Sequence, residues 1–298
     1  MNSSFALDIA GLAIAVTGDA DVAVAPEGSA RKFILTTAEA DRRHAAGARV
    51  DIRASWGDPR VPDGAAPVFD SGKGLWRMYR SVDGPTFVFT SAALGERPYQ
   101  AATFSDDFRR GHVTLRRTSF AQHTTIYPLH YPLDEVFMVH LLARGLGVEL
   151  HGGGVITANG RGYLFVGQSG AGKSTLSKLW LSEPGATLLS DERIIVRQEG
   201  DGLWMYGTPW HGDGHIAEPG RARLDRVFFL RHGERNALAA VPPASVVARL
   251  FVCGFAPFHD AAGIDFSLGF LGDVARRVRC DELAFVPDRS AVAFALAS

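Results

Sequence analysis

Gly167, Gly172, Lys173 and Ser174 stand at the Gly-x4-Gly-Lys-Ser spacing of a Walker A phosphate loop, directly after the apolar run Tyr163-Leu-Phe-Val166. Each residue type serves the same chemistry. Glycines reach backbone angles that other residues avoid and let the chain close around phosphate oxygens. The amides of Gly167, Gln168, Ser169, Gly170, Ala171 and Gly172, continued by Lys173, Ser174 and Thr175, form the candidate nucleotide-binding segment. The helix expected to start there turns its N-terminal partial charge toward an anion. In such a loop Lys173 reaches the β- and γ-phosphates and Ser174 ligates Mg²⁺. A bland glycine-rich turn is the alternative. The apolar strand before the loop and the helical spacing of Thr175-Leu-Ser-Lys-Leu-Trp-Leu181 favour phosphate binding.

A phosphate loop that works on a nucleotide needs an acidic partner for Mg²⁺, or for activating water or a hydroxyl. Asp191-Glu192 follows the apolar pair Leu188-Leu189, where a strand would end facing the loop. Asp191 is the candidate metal ligand beside Ser174, and both acids are candidate catalytic groups with Lys173. An exposed turn pair is the ordinary reading of two adjacent acids, and the strand and loop context weighs against it. His151 precedes a hairpin signalled by Asn159-Gly160. A single histidine is most often a hydrogen-bonded core or edge residue; placed here, it is also a candidate catalytic group near a transferred phosphate. His151-Gly-Gly-Gly154 invites a serine-hydrolase reading, with an oxyanion loop followed by a nucleophile elbow. Residue 171 is Ala where the elbow needs Gly, and the two segments lie too close for a strand–helix–strand unit between them.

The elements that must position these groups divide the chain. Residues 1–130 read as a β-rich N-terminal domain, with strands at 12–17, 32–35, 49–54, 75–79, 86–90 and 112–117 and a helix near 37–46. Phe5 to Val16 reads as a first strand. Residues 131–298 form the second domain. Asp134 caps a helix to about Ala143, and a strand Val148–His151 follows. The hairpin 154–157/162–166 feeds the loop. Beyond the loop helix come a strand 187–190 and a hairpin 194–197/203–206. After a Gly/His-rich loop at 209–222 come a strand 227–230, helices at 243–255 and 268–278, and a strand 283–286.

Composition bounds the partners. With 31 basic and 32 acidic residues the net charge is −1, which offers no electrostatic footprint for nucleic acid or an acidic membrane. No apolar run is long enough for a membrane span and no targeting segment stands out, so no membrane partner and a cytoplasmic location are expected. Cys253 and Cys280, outside any CxxC or Cys/His metal spacing, read as free thiols of a reducing compartment, with a disulfide between them as the alternative.

His151-Gly, the Asn-Gly hairpin, Gly-x-Ser-Gly-x-Gly-Lys-Ser and Asp191-Glu192-Arg193-Ile194 together resemble the catalytic core of HPr kinase/phosphorylase, and more closely the broad set of HPr-kinase-like bacterial proteins. The resemblance covers residues 130–208 well and the rest loosely. It implies an α/β fold: a carboxykinase-like P-loop kinase core with a mixed sheet, here preceded by the β-rich domain. It implies ATP and Mg²⁺, and phosphorylation of a serine hydroxyl; in the parent enzymes it also implies phosphorolysis. His151 matches the family's active-site histidine, and Glu192 matches the second acid, which accepts the proton. Because Glu replaces the family's Asp there, the base and metal roles stay shared between Asp191 and Glu192. The downstream Glu-Ile-Arg-Gly-Leu-Gly-like signature is absent. Gly207-Thr-Pro-Trp-His211-Gly-Asp-Gly-His215 and Glu218 stand in its place, where His211, Asp213, His215 and Glu218 are candidate metal or substrate contacts beside the reading as a polar loop. The expected activity is transfer of the γ-phosphate to a hydroxyl-bearing acceptor: a protein serine, a peptide or a small molecule. The alternatives are a nucleotide-binding regulatory protein without phosphotransfer, and an ATPase or phosphohydrolase that uses water. The parent family forms oligomers, which makes a homo-oligomer a candidate state.

Overall fold

A hairpin opens the chain. The strand β1 (Ser4–Ile9) reverses at Ala10-Gly11, both with left-handed φ, into β2 (Leu12–Gly18). The single strand expected over Phe5–Val16 is therefore two strands. Asp8 fixes the turn by accepting the Gly11 N–H at 2.8 Å. The structure, a computed structural model, describes residues 3–72, 75–95, 97–168 and 170–298. They fall into two compact units, Met1–Leu141 and Leu142–Ser298.

In the first unit, helix α1 (Thr37–Ala45) carries the chain across to β3 (Arg49–Trp56), which lies parallel to β2. Thr36 and Glu39 close a reciprocal capping box at its start. A meander follows: β4 (Pro67–Asp70), β5 (Trp76–Ser81), β6 (Gly84–Phe89), β7 (Gln100–Phe104) and β8 (Arg110–Leu115). The eight strands form one mixed sheet in the order β1-β2-β3-β8-β7-β6-β5-β4. Residues 32–35, expected as a strand, instead end a 3₁₀ turn (Gly28–Phe33) that buries Phe33 and leaves only a bridge from Ile34 to Leu7. Helix α2 (Leu133–Leu142) packs on this sheet, its Phe137 ring stacked on Phe104 at 5.0 Å. The helix after Pro132 is thus counted with the first unit up to Leu141.

The second unit begins with β9 (Gly147–Ile156), which turns through Asn159-Gly160 into β10 (Gly162–Val166). Gly160 takes φ +79 and its N–H bonds Thr157 O, as an Asn-Gly turn requires. The triple glycine does not break β9, so the expected strands 148–151 and 154–157 are one. Next come α3 (Lys173–Trp180), β11 (Thr187–Ser190), β12 (Arg193–Glu199), β13 (Gly202–Gly207), β14 (Arg221–His232) and β15 (Ala237–Ala240). The chain ends with α4 (Pro243–Val252), β16 (Gly254–Phe255), α5 (Ala261–Arg277), β17 (Arg279–Phe285) and α6 (Ser290–Ala297).

These nine strands make a second mixed sheet, in which β10 lies between β9 and β14. Pairing runs β10-β9-β12-β13-β14 and returns to β10, so five strands close on themselves. Helices cover both faces. Leu164, Val166, Val227 and Phe229 meet α4 and α5 through Val246, Leu250, Leu271 and Val274. The alternate residues Tyr163, Phe165 and Phe228 meet α3 and α6 through Leu176, Trp180, Val292 and Ala295. Continuous burial of β10 on both faces is what its uninterrupted apolar run demands. Among the described residues, no helix is long and apolar enough to cross a membrane.

Strands β10, β14 and β17 are parallel, so their C-terminal ends share one edge. Strand β11, antiparallel to β9, runs the same way and ends there too. A buried ion pair between Arg226 on β14 and Asp281 on β17 pins the register that sets His232 opposite Phe285 at that edge. Asp281 also accepts from Arg279 at 3.0 Å. Removing one member strands the other's charge. Asp281→Leu is expected to lower the unfolding free energy by about 3–5 kcal/mol, and adding Arg226→Met to restore most of it. Urea titration of the three proteins checks this; equal stability of the single and double variants would contradict it.

Candidate functional site

The edge shared by β10, β11, β14 and β17 carries a cavity of about 510 Å³ lined by His151, Gly170, Gly172, Lys173, Ser174, Thr175, Asp191, Glu192, Gly212, Asp213 and His232. The sequence-selected His151, Lys173, Ser174, Asp191 and Glu192 thus converge although 41 positions separate the first from the last (192 − 151). Ser169 lies outside the described residues. Gly167, Gln168 and Ala171 lie on another side of the same loop, facing a second cavity.

The loop is glycine-built for two distinct reasons. Gly170 and Gly172 have φ +83 and +94, in the left-handed region. At Gly170 a Cβ would meet nothing within 4 Å, whereas at Gly172 it would sit 2.6 Å from the Phe285 ring. Gly172 caps α3 with no side-chain bond to the helix amides, which leaves those donors without a side-chain cap at the cavity. Ser174 and Thr175 are exposed in the first turn. Lys173 folds back, its Nζ donating to Gly167 O at 2.7 Å and Gln168 O at 3.2 Å. Burial is the largest influence on this ammonium and holds its pKa below the ordinary lysine value; nearby Cys253 and Glu192 act in the opposite sense.

The two acids sit where one strand path kinks. Both β11 and β12 pair with β9, and Asp191-Glu192 is the step between them. Buried Ser190 holds the step: its Oγ accepts from the N–H groups of Glu192 (3.1 Å) and Arg193 (3.0 Å) and donates to Trp210 O (3.1 Å). Asp191 is buried, and each of its oxygens accepts a backbone amide, Gly212 N at 3.0 Å and Gly214 N at 2.7 Å. A Cβ at Gly214 would stand 2.4 Å from Asp191 Oδ2, and one at Gly212 2.5 Å from Glu192 Oε2. The glycines of the 209–215 loop are therefore a matter of close approach to carboxylates. Glu192 is half-exposed and accepts from Arg193 Nη1 at 2.7 Å. Arg193 also pairs with fully buried Glu149 at 3.5 Å and lies 4.5 Å over the Phe255 ring. Glu149, Arg193 and Glu192 thus form one charge relay that positions the second acid.

Oxygen donors for a hard cation are present. A carboxylate offers about four lone-pair sites, and amides occupy two at Asp191. Ser174 and Glu192 line the same cavity. Mg²⁺ takes one or two protein carboxylates and completes its shell with phosphate and water, which fits this set. Among the described residues, no three His, Cys, Asp or Glu groups cluster to hold a metal unaided. Of the loop residues His211, Asp213, His215 and Glu218, only Asp213 lines the cavity; His211 and His215 pack against each other at 4.8 Å.

His232 was missed by sequence reasoning. Its Nε2 donates to Gly170 O at 2.8 Å, and its ring stacks on Phe285 at 6.0 Å. No local motif marks it, since it reaches the loop only through the β10–β14–β17 register. His151 stays in β9, opposite Arg193, its own N–H bonded to Cys253 O at 2.7 Å. The oxyanion-loop alternative fails on the same fact, because the three glycines after it lie in strand. Cys253 and Cys280 are free and buried, and burial pushes both thiols up, Cys280 to about 12.

No protein-family model matches the chain, and no curated protein matches it. Among solved structures, the HPr(Ser) kinase/phosphatase from Coxiella burnetii is similar over 31% of this chain and 72% of that one, at 16% identity and a TM-score of 0.24. A likeness that slight does not bear on the activity.

The glycine pair of the loop yields a test. Gly170→Ala is expected to cost about 1–2 kcal/mol from left-handed strain alone. Gly172→Ala adds the Phe285 overlap, about 1–3 kcal/mol more. Phe285→Leu should recover part of that excess for Gly172→Ala and none for Gly170→Ala. Denaturant titration of the double-mutant cycles reads the coupling; equal behaviour at the two glycines would refute the steric account.

Proposed function

We propose that the protein is an ATP- and Mg²⁺-dependent phosphotransferase acting on a hydroxyl. The observation that carries this reading is one cavity in which a lysine and uncapped helix amides face two carboxylates across strand β9. Such a site places positive partial charge where a triphosphate would lie and acid groups where an acceptor would arrive. The resemblance of His151, the glycine loop and Asp191-Glu192 to the HPr-kinase-like set supports the same reading, with a carboxykinase-like P-loop core.

In this reading the loop amides at Gly170 and Gly172 and the N-terminus of α3 hold the phosphates, and Lys173 leaves its carbonyl partners to bridge the terminal two. Ser174 and Asp191 would hold Mg²⁺, which would supply charge stabilisation at the phosphate oxygens. Glu192 is the base: it is the more exposed acid, and Arg193 Nη1 holds it through Oε1. Glu192 takes the proton of the acceptor hydroxyl as that oxygen bonds to the γ-phosphorus, while the bond from phosphorus to the β–γ bridging oxygen breaks and ADP departs. Asp191, held by two amides, is the fixed metal-side carboxylate. His151 orients the transferred group from the β9 side, and His232 braces the loop through Gly170.

The acceptor is a serine of a protein or peptide, or a small-molecule alcohol. Transfer of label from γ-labelled ATP to a panel of such acceptors, and to water, tests the assignment. Glu192→Gln is expected to lower kcat by about 10²–10⁴ with KM for ATP little changed, and Lys173→Ala to abolish both binding and transfer. Equal transfer by wild type and Lys173→Ala would sink the proposal. Tight nucleotide binding with no transfer to any acceptor would favour a regulatory protein, and label released only as phosphate a hydrolase.

A further inference from the structure

A second cavity, of about 590 Å³, opens on the other side of the glycine loop. Its walls are apolar: Phe229 from β14, and Ala248, Val252 and Cys253 from α4 and the turn after it. Val252 is 67% exposed, so its side chain is open to the cavity. A charged group crosses the rim. Glu282 accepts Arg231 Nε through one oxygen and Arg249 Nη2 through the other, both at 2.6 Å. These partners, Arg249 foremost, hold the Glu282 carboxyl below the usual range. Arg249 lies 5.2 Å over the Phe229 ring, so its flat guanidinium is fixed at the cavity wall.

The two cavities meet at Gly170 and His232, which line both. Asp191, Glu192 and Asp213 line the first, whereas the acid lining the second, Glu282, has both oxygens paired with arginines. In a phosphate chain lying along the loop, the reacting end is the one at the acids. The other end leaves past Gly170 and His232, into the apolar cavity.

We infer that this second cavity, between the glycine loop and helix α4, is the nucleoside subsite of the phosphate-binding centre. The inference rests on the phosphotransferase reading above. A nucleobase is a flat ring with an apolar face and a polar edge. Phe229, Ala248, Val252 and Cys253 supply apolar surface for the face, and the Arg249 plane is a stacking partner. The clamped Glu282 keeps its remaining lone pairs for ribose hydroxyls or base-edge N–H groups. The volume is that of an ordinary small-molecule site. His232 stands at the junction, where the ribose would turn from one cavity into the other.

The test separates the two claims by comparing ligands with and without a nucleoside. Calorimetric titration of the full chain with Mg²⁺·ATP and with Mg²⁺·tripolyphosphate is run on wild type, Ala248→Trp, Val252→Ser and Lys173→Ala. Ala248 and Val252 are exposed on α4, so these variants should fold, as thermal melting checks. Wild type should bind ATP more tightly than tripolyphosphate. Ala248→Trp, which fills the cavity, should weaken ATP about tenfold or more, and Val252→Ser by about threefold, with tripolyphosphate within about twofold of wild type in both. ATP binding unchanged in both variants would overturn the subsite, and unchanged binding with lost transfer would assign the cavity to the acceptor instead. Wild type binding neither ligand, or Lys173→Ala binding both normally, would overturn the phosphate-site reading and the subsite with it.

Discussion

Strand β9 has no side chains for three consecutive residues, and the site depends on that. A Cβ at Gly152 would stand 2.7 Å from the Phe165 carbonyl of β10, and one at Gly154 2.4 Å from Ile194. At Gly153 it would press at 3.4 Å on Ser177 of α3 and on the Ser190 carbonyl of β11. Without side chains, β10 and β11 close on β9 from its two sides and α3 settles over it. The glycine loop at the end of β10 and the acid pair at the end of β11 are brought into one cavity. The cost is the backbone freedom of three glycines in a strand. The ring of pairing through β10, β9, β12, β13 and β14 offsets it by leaving β9 paired along both edges.

Around that strand, charge is organised in layers. Buried Glu149 aims Arg193, and Arg193 aims Glu192. Asp191 is set by main-chain amides, so its position follows the backbone of the 209–215 loop rather than a mobile partner. On the opposite bank, the Arg226–Asp281 pair fixes where His232 and Phe285 arrive against the loop. The two acids therefore differ in kind: one is buried and held by main-chain amides, the other half-exposed and paired with Arg193. That difference is the physical ground on which the proposal gives Asp191 the metal side and Glu192 the base role.

The chemistry-bearing core was largely legible in the sequence. The Gly167–Ser174 spacing, the Asn159-Gly160 hairpin and the acid pair after Leu189 are local signals; the structure brings the loop and the acid pair to one edge, and the hairpin turns at the other end of β10. What escaped was set by long-range pairing. His232 has no motif and becomes part of the site only because β14 lies parallel to β10. Gly152-Gly153 read as a break between two strands, because an isolated glycine run lacks strand propensity; pairing on both sides overrides it. In the first unit, β4 and β7 were missed because both are short and neither shows clear alternation, and the hairpin at Ala10-Gly11 was hidden in one apolar stretch. Helix α6 went unseen because Ser290–Ala297 is apolar all round, which hides a 3.6-residue period.

In the proposed enzyme, β9 brings a phosphate cradle and an acid pair to face one another across a single bound nucleotide. A crystal structure of the full chain with Mg²⁺ and a non-hydrolysable ATP analogue tests this most directly. The triphosphate is expected along Gly170–Thr175, with Lys173 Nζ moved from the Gly167 and Gln168 carbonyls onto the phosphates and the metal held by Ser174 and Asp191. The terminal phosphate should lie nearest Glu192. A nucleotide bound elsewhere, or a triphosphate reversed so that its terminal phosphate points away from Asp191 and Glu192, would contradict it.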